Sequence, residues 1–378
     1  MPVVYPHIYV HVPFCGRRCS YCDFAIAVRK TVPVDRYVDN VIRELRERQV
    51  EISTKPRSIY FGGGTPSKLG GAGIEAVLHG IRESSVVVNF STAAMEITVE
   101  ANPEDISVDV VRAWRAAGVN RISLGVQSFD PGVLSWMHRG HSAAGAEAAV
   151  RAIRAGGIDE VSLDLIFAIP DQVGVNRFAS DIDRALALEP THLSVYGLTV
   201  EPRTPLGRWT ARGTVEEAPE ERYAAEFLLA HDRLSDAGFE HYEVSSYARP
   251  GHRAVHNAAY WSGAPYLGLG PSAHGFDGRT RRWNTPAYTA WCTQVEQGVD
   301  PVAGEEEIGP EERLAEEVYL GLRTIDGLVL RPEDQATIAP WIDAGWGRLT
   351  GDRLVLTPDG WLRIDALAAA LTSVRSHS

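Results

Sequence analysis

His7-Ile8-Tyr9-Val10-His11-Val12, then Pro13-Phe14, then Cys15-Gly16-Arg17-Arg18-Cys19-Ser20-Tyr21-Cys22 is the stretch on which the fold turns. The first run is β-branched and aromatic and reads as a strand. The second puts three cysteines at C-x3-C-x2-C on one loop directly after it. Similar β-rich runs recur at about Arg57 to Phe61, Met95 to Glu100, Arg121 to Val126, Val161 to Ile166 and Leu193 to Thr199, making six in all. Helical patterns separate them: Asp35 to Arg48 sets Tyr37, Val38, Val41, Ile42 and Leu45 on one face, and Ala143 to Ile153 and Phe178 to Leu188 read alike. Strand, helix, strand repeated in this way predicts parallel pairing with right-handed crossovers, closing into an open or partial α/β barrel of six units.

Ligands of such sheets bind at the C-terminal strand ends. The unusual residues fall there. Cys15 follows the first strand, Gly62-Gly63-Gly64-Thr65-Pro66 the second, Glu100 ends the third, Gln127 follows the fourth and Asp164 lies in the fifth.

Composition narrows the classes. The chain has 378 residues, 44% of them hydrophobic and 23% charged, as expected of a globular protein of two or three domains. Its formal charge of −12 opposes broad attraction to nucleic acid or anionic lipid and favours a small-molecule partner. No apolar run is long enough to cross a bilayer and the first nine residues lack a signal pattern, so a cytoplasmic location is expected. Three of the four cysteines fall within eight positions, which speaks for thiolates rather than a disulfide scaffold. Cys292, in an aromatic stretch, reads as a buried spectator.

Beyond Thr199 the regularity weakens. A helical pattern from Tyr223 to Ala237 closes a first unit of residues 1–237, and aromatic and glycine-rich loops fill a connecting region of 238–300. Residues 301–378 read as a small α+β, winged-helix-like unit, with helices around Glu311 to Leu322 and Trp361 to Leu371 and a strand at Leu354 to Thr357. With 7 basic and 14 acidic residues, a net of −7, that unit is a poor nucleic-acid reader and a better lid or docking element.

Three thiolates can hold three irons of a cubane and leave the fourth open. Zinc is the alternative; it takes four protein ligands, which Cys292 or a nearby histidine would have to complete. The loop resembles the signature of radical S-adenosylmethionine (SAM) enzymes. Together with the flanking Tyr9 to Phe14 and Cys22-Asp23-Phe24, it is similar to their oxygen-independent coproporphyrinogen III oxidase-like family, over nearly the whole chain. The resemblance implies a partial (β/α)6 radical SAM barrel with a [4Fe-4S] cluster on Cys15, Cys19 and Cys22. It makes Gly63, Gly64 and Thr65 of Phe61-Gly62-Gly63-Gly64-Thr65-Pro66-Ser67 contacts to SAM, although a plain tight turn accounts for that motif equally well. Glu100, Gln127, Arg139 and Asp164 match family positions and would supply the paired charges a zwitterionic ligand needs, where singly each reads as an ordinary ion pair. Tyr9 matches a tyrosine near cluster and ligand. One departure follows the fifth strand, where Ala168 and Asp171 stand in place of the relatives' glycines.

Two functions divide this family, and the residues favour one. The oxidases carry a further cysteine two positions after the third; here that position is Phe24, and only 14 residues precede Cys15, against a longer leader in the oxidases. The resemblance therefore points to the heme-chaperone branch, with oxygen-independent coproporphyrinogen III oxidation as the alternative. His256-Asn257-Ala258-Ala259-Tyr260-Trp261 matches the HNxxYW motif associated with heme in that branch. His256 is the first candidate heme ligand or an organiser of its loop. The implied partners are heme, SAM and a heme-accepting apoprotein of the respiratory chain, with peripheral membrane contact.

Overall fold

A computed structural model of the chain describes residues 4–48, 51–52, 56–84, 95–173 and 178–377. Six parallel strands form its centre: β1 (His7–Val12), β2 (Ser58–Gly63), β3 (Glu96–Ala101), β4 (Arg121–Gln127), β5 (Glu160–Phe167) and β6 (His192–Gly197). Helices α1 (Val34–Glu47), α2 (Gly70–Ser84), α3 (Val108–Ala117), α4 (Ala143–Ala155) and α5 (Phe178–Ala187) alternate with them. This is the expected partial barrel. The pattern did not disclose α2 or α3, because glycines thin the apolar face of α2. Those glycines serve packing: a Cβ at Gly71 would run into Ala113 of α3, and one at Gly80 into Ile42 of α1.

Alternation along each strand sorts the two faces. Ile8, Val10 and Val12, Ile59 and Phe61, Ile97 and Val99, Ile122 and Leu124, and Leu163 and Leu165 are buried in the main hydrophobic core. The intervening residues point to the opposite face and are polar or glycine, a period of two that a ligand-lining barrel requires. Register brings Glu100 opposite Ser123, and Asp164 opposite both Gly125 and Ser194.

Residues of the connecting region join the same sheet. β7 (Glu240–Glu243) and β8 (Ser246–Ala248) extend it beyond β6. Across a short helix α6 (Val255–Trp261), β9 (Tyr266–Leu269) pairs in parallel with β1. β10 (His274–Phe276), β11 (Thr280–Asn284) and β12 (Val302–Glu307) follow in antiparallel order, giving twelve strands. The terminal unit then packs α7 (Pro310–Arg323), α8 (Gln335–Asp343) and α9 (Ile364–Ser376) around a three-stranded sheet of β13 (Leu328–Val329), β14 (Gly347–Thr350) and β15 (Arg353–Leu356). No described helix is long and apolar enough to cross a membrane.

The departure after β5 has a visible consequence. Ala168 adopts φ +59°, the left-handed region that glycine enters without penalty, and its N–H donates to Glu226 at 2.6 Å. Its Cβ costs about 1–2 kcal/mol there, against roughly 0.5–1 kcal/mol for the extra backbone freedom of glycine. Ala168→Gly is expected to stabilise the protein by about 0.5–1 kcal/mol, read as a higher denaturant midpoint at unchanged m-value. A lower midpoint would show that the alanine methyl contributes more by packing than it loses by strain. Asp171 is compensated differently, by an ion pair with Arg222.

Candidate functional site

The cysteine loop closes over the C-terminal strand ends and rims a cavity of about 570 Å³. Cys15, Cys19, Cys22, Gly63, Gly64, Thr65, Glu100, Gln127, Arg139 and Asp164 all line it. Ten residues spread from position 15 to 164 thus meet in one place.

Each is placed by its neighbours. Cys15 is buried, with its Sγ 3.3 Å from Thr65 Oγ1. Gly64 N–H donates to Val12 O at 2.8 Å, and a Cβ on Gly64 would meet the Pro13 backbone at 2.8 Å. The glycine turn is therefore demanded first by the close approach of the cluster loop. Gly63, at φ +109°, gives its N–H to Glu100 Oε2 at 3.1 Å, and Tyr60 OH donates to Glu100 Oε1 at 2.7 Å. Gln127 sits at a bulge with φ +66°, a strained position of the kind that gathers at functional sites. Arg139 donates to Asn102 Oδ1 at 2.7 Å and Gly125 O at 2.6 Å and reaches Cys19 Sγ at 3.6 Å.

The electrostatics are those of a site prepared for a charged ligand. Burial pushes the Glu100 carboxyl up to about 7 and that of Asp164 up to about 6, Ser123 bonding the latter at 3.1 Å. Two half-buried acids therefore face one cavity that a cationic ligand would relieve. At the other end the Nε of Arg139 is buried with no partner among the described residues. Burial also raises the Cys15 thiol and pushes Cys22 up to about 11.

These residues fit a cluster and SAM. All three thiols are free of disulfides. Three thiolates on one short loop are the donor set of a cubane with one iron left open, whereas zinc would need a fourth protein ligand. Cys292 is buried in the helix Tyr288–Glu296 and is absent from the cavity wall.

Two expected residues lie elsewhere. Tyr9 is not on the wall but one layer below, stacked on Tyr60 at 6.3 Å with its hydroxyl 3.1 Å from His11 Nδ1. His256 is 1% exposed at the barrel floor. Its Nδ1 lies 2.7 Å from Ser58 Oγ and its Nε2 2.9 Å from Tyr260 OH, while the N–H groups of Val255 and His256 both donate to Glu96. Both ring nitrogens are engaged, so iron could reach Nε2 only by displacing the Tyr260 hydroxyl. Burial lowers the imidazole to about 3, so it stays neutral.

Sequence reasoning missed Tyr60, which orients Glu100, and Asn102, which bridges Arg139 and Thr65. Asn102 had a signal in Glu100-Ala101-Asn102-Pro103 at a strand end; Tyr60, in mid-strand, had none.

Known proteins resemble this chain along most of its length. Residues 9–174 match the radical SAM superfamily. The heme chaperone HemW of Mycobacterium tuberculosis is 37% identical over 96% of this chain and 94% of its own length. That of Bacillus subtilis is 32% identical over 85% and 84%. The solved structure of the Escherichia coli coproporphyrinogen III oxidase HemN, a radical SAM enzyme, overlays with a TM-score of 0.78 at 23% identity, covering 98% of this chain and 90% of that one, a likeness of fold. With the cluster loop, the barrel and the terminal unit all inside a match of this extent, the chain belongs to the HemW family of radical SAM proteins.

Proposed function

We propose that this chain is a heme carrier that binds a [4Fe-4S] cluster through Cys15, Cys19 and Cys22 and SAM in the adjoining cavity, and that hands heme to an acceptor apoprotein. The observation that carries the reading is likeness to heme chaperones over 96% of the chain in one relative and 85% in another. Phe24 supports it, standing 58% exposed at the cavity where the oxidases place a further cysteine.

In that reading Glu100 and Asp164 face the cationic parts of SAM, Arg139 its carboxylate, and Gln127 and the glycine turn present polar groups beside it. The bound group supplies a redox-active iron with one open position. The protein holds the thiols together, sets the two acids half-buried on the cavity wall and shields the site behind the cysteine loop.

The test is anaerobic reconstitution followed by parallel assays. The protein is expected to bind hemin and pass it to an acceptor apoprotein. It is expected to yield no protoporphyrinogen IX from coproporphyrinogen III when cluster, SAM and reductant are all present. Sustained conversion would replace the carrier reading with that of an oxidase.

A further inference from the structure

The HNxxYW helix has two sides. His256 and Tyr260, four residues apart, turn inward to the barrel floor. Trp261 turns outward and, with Ala258, lines a second cavity of about 640 Å³ between α6 and the terminal unit. That volume lies within the roughly 300–1,000 Å³ of pockets that take small-molecule ligands. Its apolar wall comes from Trp261, Phe276, Leu320 and Leu328.

Three arginines, Arg253, Arg313 and Arg353, and three acids line its rim, so the pairing and not the sum decides which charges stay available. Three acids line it, and each already has a partner: Glu316 pairs with Arg281 at 2.6 Å, Glu317 with Arg331 and Arg375 at 3.2 Å, and Asp326 with Arg253 at 3.3 Å. Arg313 and Arg353 have none among the described residues. Arg313 donates to Gly278 O at 3.2 Å, and Arg353 to Gly327 O at 2.9 Å and Asp326 O at 3.4 Å. Both side chains are exposed and keep donors free. Arg323, paired with Glu243 at 2.9 Å, lies over the Trp261 ring at 4.1 Å from its centroid, so the indole meets the cavity by its remaining surface. An apolar wall with two guanidiniums that lack a carboxylate partner among the described residues matches a flat, apolar dicarboxylate.

We propose that this second cavity is the porphyrin-carrying site, with Arg313 and Arg353 receiving the two propionates and Trp261 lying against the macrocycle. The inference rests on the heme-carrier reading and locates its cargo away from His256. The wall offers no His, Cys or Met among the described residues, and the Tyr242 hydroxyl is engaged by His192 at 2.9 Å. Binding there reads the propionates and the ring, not the iron.

The experiment titrates the full-length protein with hemin and with metal-free protoporphyrin IX. It compares the unaltered chain, the double variant Arg313→Ala with Arg353→Ala, and the matching Lys pair. Metal-free protoporphyrin IX is expected to compete with hemin. The double Ala variant is expected to lose about tenfold or more in affinity for both porphyrins, and the Lys pair to recover much of it. Because both arginines are exposed, unchanged cluster content and circular dichroism serve as the control for folding. Hemin binding that is tight but indifferent to both arginines, or that metal-free protoporphyrin IX cannot displace, would overturn the site and leave the carrier reading standing. An unaltered protein that binds neither porphyrin would overturn the carrier reading, and this inference with it.

Discussion

Cys15→Ser, Cys19→Ser and Cys22→Ser are each expected to abolish the cluster, whereas the unaltered chain reconstitutes with about four irons and four sulfides. A serine hydroxyl is a poor ligand for iron, and no spare thiol stands near: Cys292 is fully buried and is not on the wall of the cavity. The loss should be all or none, because two thiolates cannot seat a cubane against solvent. In the metal-free chain burial keeps Cys15 and Cys22 protonated, so assembly releases protons. Iron and acid-labile sulfide analysis with electron paramagnetic resonance of the reduced protein is the measurement. Cys292→Ser should match the unaltered chain. Zinc recovered in place of iron, with no labile sulfide, would sink the assignment.

The next largest effect is expected at Asp164. Glu100 and Asp164 share one cavity, and each is held above the usual carboxylate range chiefly by burial. A cationic ligand turns that unfavourable pair into a binding asset. Asp164→Ala removes half of it and leaves the ligand's charge unmatched, at roughly 2–5 kcal/mol, so SAM affinity should fall at least tenfold. Asp164→Asn should fall comparably, since it keeps the shape and loses the charge.

The same groups set a pH dependence. With folded values of about 7 and 6, they bind more protons in the folded chain than in the unfolded one between roughly pH 4 and 7. The ligand-free protein should therefore lose stability as pH rises through that window. SAM affinity should rise over the upper half of it, as the acids ionise. Calorimetry at pH 6 and pH 8, with thermal melts of the ligand-free chain, reads both. Affinity that is flat with pH and unchanged in Asp164→Ala would show that these acids do not face the cofactor.

Much of this was legible without a structure, for a local reason. The alternation of β-branched runs with amphipathic helices is a property of neighbouring residues, and it located all six barrel strands to within about two residues. The C-x3-C-x2-C spacing sits on one short loop. Strand ends of a parallel sheet converge by topology, so Glu100, Gln127 and Asp164 could be gathered into one site from their positions alone.

What the sequence by itself determined, then, is everything that depends on near neighbours and on the right-handed crossover: the barrel, the cysteine loop and the rim of the first cavity. Tertiary structure decided the rest. The pairing of β9 beside β1 joins residues more than 250 positions apart, and the contact of Ser58 with His256 spans 198. No local pattern encodes such a meeting. The fate of His256 shows why: an imidazole among aromatic residues reads by itself as structural and becomes a candidate ligand only through the resemblance of its motif, but whether its nitrogens face iron or a serine depends on which strand packs against its helix. Arg313 and Arg353 of the second cavity, which have no carboxylate partner among the described residues, show the same thing. Charge is written in the sequence, while the absence of a partner exists only once every carboxylate nearby has found one.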